Sequence, residues 1–234
     1  MNTDEFTKKV QEALGENLVS VIVFGSSATD ETRSRYSDTN TLIVSKKLGM
    51  SELKRLASAI KHWGRQGNPP PLLFTRNRFL ESVDVFPIEY LDMQERHRVL
   101  YGEDMLADIE VDIRHLRYQL EHELKGKLLH LRDAYITTDG KPKRVAEILT
   151  RSYSTLQILF RAALRLYDRN QEVSKSQAIS ILSERIDFDA AAFAKMESLK
   201  MGETSIKEVD CDALFESILD SVSKVADEIN ALAD

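Results

Sequence analysis

Residues 21–44 read VIVFGSSATDETRSRYSDTNTLIV. Two runs rich in Val and Ile, strand-forming in composition, flank a polar loop. The loop opens at Gly25-Ser26, where the first run ends, and closes at Asp38-Thr39-Asn40, where the second begins. A Gly-Ser turn suits a phosphate, because glycine lets the backbone come close to a ligand and successive backbone N–H groups can form an anion-binding concavity. Residues i and i+2 of a strand point to one face, as two ligands of one metal ion must. Here those residues are Asp38 and Asn40, one carboxylate and one amide.

Working outward, the first half alternates β-rich runs with helical patterns. The N-terminal segment MNTDEFTKKVQEALGEN reads as an amphipathic helix with Thr3 as its N-cap, and it has no apolar signal-peptide core. Strands are expected over 18–24, 41–45, 72–75 and 85–93. The last of these contains Pro87, which a strand tolerates at an edge, a bulge or its beginning. Leu53, Leu56, Ala57 and Ile60 recur at helical spacing and predict a helix over 51–63. Asn77 would cap a short helix over 78–82. After about residue 94 the β pattern stops. Helices are expected over 111–136, 143–167, 174–186, 190–200 and 212–232, with short polar turns between them that suit antiparallel packing in a bundle. The organisation is therefore an α+β domain, a mixed sheet with flanking helices over 1–106, followed by an all-α bundle over 107–234.

Composition narrows the function classes. The 234 residues are 42% hydrophobic and 30% charged, as in a soluble globular protein, and the net charge of −6 argues against broad nucleic-acid binding. One cysteine, Cys211, allows no internal disulfide and no multi-cysteine metal site, which fits a cytoplasmic location. No apolar run approaches the roughly 20 residues of a membrane span.

The Gly25-Ser26 turn, the polar loop and Ser37-Asp38-x-Asn40 leading into an apolar strand resemble the nucleotidyltransferase superfamily of the DNA polymerase β type. The likeness is greatest to the minimal and the antibiotic-modifying nucleotidyltransferases. It covers roughly residues 18–104, and Leu100-Tyr101-Gly102-Glu103 resembles the segment that closes such domains. The family pattern is a Gly-Ser turn, about ten residues, Asp-x-Asp on a strand, and a third carboxylate on a later strand. The resemblance implies Mg²⁺- or Mn²⁺-dependent transfer of a nucleoside monophosphate from ATP or a similar triphosphate to an acceptor the sequence does not name. Metal ions would clamp the attacking and leaving oxygens. Asp38, Asn40 and Glu89 would be the metal-binding, catalytic set. Gly25, Ser26, Ser27, Arg33 and Ser37 would hold the nucleotide, with a helix start within 26–30 adding its dipole. Glu89 is chosen because it interrupts an apolar run; Asp84 is the runner-up.

Asn40 departs from the pattern. Its carbonyl oxygen can ligate a metal but carries no charge, so the site is one negative charge short and should hold Mg²⁺ more weakly. This opens the alternative of a catalytically impaired nucleotide-binding or regulatory, antitoxin-like module. Arg117 and His122 have the Arg-x4-His spacing of HEPN ribonucleases, whose helical domains, like those of antibiotic nucleotidyltransferases, the second half resembles in pattern. Arg161 and Arg165 share a helix face, and Arg151 is out of step with them. Amphipathic helices with a second apolar face also admit a homodimer.

Overall fold

A computed structural model describes residues 1–28, 39–168 and 173–232, without the side chains of Ser26, Lys175 and Ser176. Arg33, Arg35, Ser37 and Asp38 lie outside the described residues. The chain divides into two compact units, Met1–Asp112 and Ile113–Asp234.

The first unit opens with helix α1 (Thr3–Leu14), capped by Asn2 rather than Thr3. The Asn2 side chain accepts from the Glu5 N–H and Glu5 answers to the Asn2 N–H, which satisfies two otherwise orphaned donors. Strand β1 (Leu18–Phe24) runs into a single 3-10 turn, Gly25–Ser27. Then come β2 (Asn40–Ser45), α2 (Met50–Gly64), β3 (Leu72–Thr75), α3 (Arg76–Glu81), α4 (Pro87–Glu95) and β4 (His97–Gly102). The Thr75 side chain, not Asn77, caps α3.

The sheet is mixed, in the order β3-β2-β1-β4. β1 is antiparallel to both β2 and β4, and β2 is parallel to β3. The Val/Ile run of β1 is central and buried on both faces. One face packs Phe6, Val10, Leu56 and Trp63 of α1 and α2 onto Val21 and Ile43. The other packs Phe79, Tyr90 and Met93 of α3 and α4, with Met105 and Leu106, onto Ile22, Leu42 and Val44. Tyr90 donates its hydroxyl to the Phe79 carbonyl, and burial pushes that phenol well above its usual range.

Two expectations fail here. Residues 85–93 do not form a strand; the segment is α4. Pro87 stands at its first turn, where a missing N–H costs nothing, and the buried residues Pro87, Ile88, Tyr90 and Met93 follow helical spacing. The fourth strand comes later instead, at His97–Gly102, past the point where the β pattern was expected to stop.

The second unit is all helical: α5 (Ile113–Ile136), α6 (Pro142–Tyr167), α7 (Lys175–Arg185), α8 (Ala190–Met201) and α9 (Cys211–Ala231). α6 is its centre, packed against α5, α7, α8 and α9. Phe160, on α6, meets Phe188 at 5.3 Å and Phe193 at 4.9 Å between ring centroids, distances typical of favourable aromatic pairs. Among the described residues no helix is long and apolar enough to cross a membrane.

Candidate functional site

Three strand ends meet at the Gly25 turn. Phe24, the last residue of β1, is paired with Asn40, the first of β2, on one side and with His97, the first of β4, on the other. Gly25 has φ 78°, a conformation costly for any residue with a Cβ. Its N–H donates to the Arg96 carbonyl at 2.8 Å, and its own carbonyl accepts from the Ala28 N–H at 3.0 Å. The Gly25 N–H, expected to face a phosphate, is thus committed to the backbone that leads into β4.

The Asn40 side chain lies against this turn. Its Nδ2 is 3.5 Å from the point a Cβ on Gly25 would occupy. Asn40 is half-buried, and among the described residues its amide meets no hydrogen-bond partner. A half-buried amide offers two donors and one acceptor, and none of them is used by the described residues.

The start of β2 is clasped from the side by a residue the sequence reading missed. Asn68, in the loop before β3, accepts the Thr39 N–H on its Oδ1 at 3.1 Å and directs its own amide to the Trp63 carbonyl at 3.5 Å. Thr39 immediately precedes Asn40, so Asn68 holds the backbone at the entry to β2. We expect Asn68→Ala to cost about 1 kcal/mol of stability by urea denaturation, the usual worth of one such bond, and to loosen any ligand held by Asn40 by several fold in a binding titration.

Of the residues nominated from sequence, the structure brings Gly25, Ser27 and Asn40 to one turn. Ser27 is half-buried and engaged. Glu89 is exposed in the first turn of α4, not on a strand. The reason for choosing it, an acid buried within an apolar strand, therefore falls away; a carboxylate in a helix's first turn is favoured by the helix dipole alone. Glu89 nonetheless makes an interaction, and α4 packs against β1 and the Gly25–Ser27 turn. Asp84 is exposed in the turn before α4.

The nucleotidyltransferase pattern asks for a third carboxylate on a later strand, and neither later strand has one. β3 is Leu72-Leu73-Phe74-Thr75 and β4 is His97-Arg98-Val99-Leu100-Tyr101-Gly102. Glu103 follows β4 but lies beside Val19 and Ser20, at the far end of β1 from the turn, and is ion-paired with Arg76. Among the described residues no three His, Cys, Asp or Glu side chains gather in a metal-binding group. Asn40 contributes one uncharged oxygen at most. Asp38, the carboxylate that the pattern places two residues before Asn40, lies outside the described residues, so the described residues supply only part of the donor set that a divalent ion takes.

His97 links its ring to the Gln94 carbonyl and the Asp104 carboxylate, both at 3.2 Å. Burial pushes the Asp104 carboxyl up, but the backbone N–H groups of Leu106 and Ala107 and the His97 ring outweigh it and hold the group below its ordinary value. With Gln94 donating to the carbonyls of Leu106 and Ile109, these contacts fold the chain after β4 back along α4 and steady the end of the sheet that carries the turn.

In the second unit Arg117 donates to Glu121 at 3.1 Å and lies over the Tyr118 ring, while Lys125 bridges Glu121 to Asn230 of α9. Arg117 thus joins a network tying α5 to α9, and His122 is exposed. Arg165 is buried and both Arg161 and Arg165 are engaged. A cleft of about 410 Å³ borders Asp189, Glu208, Asp210 and Lys195. Its three carboxylates are spent as helix caps, on the N–H groups of Ala191, Ser205 and Ala213.

No protein-family description matches the chain, and no curated protein matches it. Among solved structures nine chains match. One is the crystal structure of spectinomycin adenyltransferase AAD(9) from Enterococcus faecialis with ATP and spectinomycin, with a TM-score of 0.59 and 14% identity, covering 98% of this chain and 100% of that one. The likeness concerns the fold: an α+β unit with a mixed sheet followed by a helical unit.

Proposed function

We propose that the first unit binds a nucleoside triphosphate, ATP or a close relative, with its phosphates at the Gly25–Ser27 turn, and that it holds the nucleotide rather than transferring it. The observation that carries this reading is the Asn40 amide: it lies against the turn, has no internal partner among the described residues, and stands where the family pattern has a carboxylate. The absence of any acid from β3 and β4 supports the same conclusion, since transfer by metal ions needs charge that the strands do not supply. In this reading the protein is a cytoplasmic nucleotide-dependent regulatory module, and its helical unit is the part that meets a partner or a second copy of the chain.

A second reading is favoured by the likeness to an enzyme crystallised with ATP and an antibiotic. It makes the chain a nucleotidyltransferase that moves a nucleoside monophosphate onto an acceptor hydroxyl, with Asp38, Asn40 and Glu89 as metal ligands and Gly25, Ser26, Ser27, Arg33 and Ser37 around the nucleotide. Incubation with α-labelled ATP and Mg²⁺ or Mn²⁺ separates the two. We expect ATP binding in an equilibrium titration and no release of pyrophosphate, with Asp38→Ala indistinguishable from wild type in turnover. Pyrophosphate release that Asp38→Ala abolishes would establish the transferase. Failure of any triphosphate to bind at millimolar concentration would remove both readings.

A further inference from the structure

The chemistry of Asn40 says more than that a ligand has been lost. A carboxylate at the start of β2 can meet a phosphate only through a cation, because two anions side by side repel. An amide has no such restriction. Its NH₂ group donates hydrogen bonds directly, and its oxygen accepts one.

We infer that Asn40 is a direct phosphate-binding residue, its amide donating to a phosphate oxygen at the Gly25 turn, and that triphosphate binding by this chain is independent of a divalent cation. The inference rests on the proposed nucleotide site. Three observations on the molecule support it. The Nδ2 atom is the part of the side chain that abuts Gly25, 3.5 Å from where a Cβ would stand. The amide is half-buried and unpartnered among the described residues, and it is not one of the buried atoms closed off without a partner, so it is open to a ligand that accepts from it. The Gly25 N–H is already bound to the Arg96 carbonyl, so at Gly25 itself the donor within reach of a ligand is the Asn40 amide beside it. The Asn68 side chain accepts from the Thr39 N–H and so holds the backbone next to Asn40. The same substitution that removes a metal ligand thus installs a phosphate ligand, and the two effects point to one phenotype.

The test uses the full chain, ATP, and calorimetric titration in Mg²⁺ and in EDTA. Wild type is expected to bind ATP with dissociation constants within about threefold of each other in the two buffers, and inorganic tripolyphosphate should displace ATP in EDTA. Asn40→Asp should weaken binding in EDTA at least tenfold, with Mg²⁺ restoring part of it; Asn40→Ser, a smaller neutral donor, should fall between, and a melting curve for each variant confirms that it is folded. Wild-type binding that collapses more than tenfold in EDTA overturns the inference, as does Asn40→Asp binding like wild type without metal. Both of those outcomes leave the nucleotide site standing. No binding in either buffer removes the nucleotide site itself.

Discussion

Gly102→Ala will unfold the first unit or come close to it. Gly102 ends β4 with φ 78°. A Cβ there would lie 2.9 Å from the Val19 carbonyl carbon and closer still to its oxygen. The obstacle is backbone of the central strand, not the movable end of a side chain. Nothing nearby can yield without disturbing the Ser20–Gly102 pairing, the Glu103 N–H bond to the Val19 carbonyl and the Ser20 hydroxyl bond to the Glu103 carbonyl. Left-handed strain of about 1–3 kcal/mol and overpacking of similar size add to about 3 kcal/mol or more, a large share of a domain's stability. Trp63 is the chain's one tryptophan and is buried in this unit, so its fluorescence in a urea titration reports the loss directly. A midpoint unchanged from wild type would mean that β4 leaves β1 without penalty.

The second large effect is expected at Trp63 itself. Its indole stacks on Phe6 at 4.5 Å between centroids, inclined by 21°, and both rings are essentially inaccessible. Together they join α1 to α2 over the Val21–Ile43 face of the sheet. Trp63→Ala should cost about 3–5 kcal/mol, as deleting a large buried ring does, measured by circular dichroism during urea denaturation. Trp63→Phe should cost much less, because the indole Nε1–H is buried without a hydrogen-bond partner among the described residues. Phenylalanine keeps the stacking surface and removes that unsatisfied donor. Equal losses in the two variants would show that a single six-membered ring cannot replace the indole in this contact.

The fold was legible wherever burial wrote a period into the sequence. The strands at Leu18–Phe24 and Leu72–Thr75 begin and end where Val, Ile and Leu runs do, and the long helices show their apolar stripes plainly. The failure lies at 85–102. Val85, Phe86, Ile88, Tyr90 and Leu91 are dense enough to read as a strand, because a short apolar run has no decisive period. Pro87, which a strand admits at an edge, a bulge or its beginning, starts a helix instead. The true strand, His97-Arg98-Val99-Leu100-Tyr101-Gly102, has two charged or titratable residues at its head and sits at the sheet edge, so its alternation is faint. The Gly-Ser turn and Asn40 were legible because side chains carry them. The Asn68 clasp was not, since it spans 29 residues, and the Arg96 bond to Gly25 was not, since it is made by a carbonyl that every residue owns.

That carbonyl has a consequence for how the turn would receive a ligand. The Arg96–Gly25 bond sets the shape of the turn through the residue that leads into β4 before anything arrives. Little ordering entropy then remains to be lost on association, which is the advantage of preorganisation. The Gly25 amide proton should exchange slowly with solvent, and equally slowly with and without nucleotide. Its resonance becomes a built-in gauge of whether β4 is seated, separate from whether the site is filled.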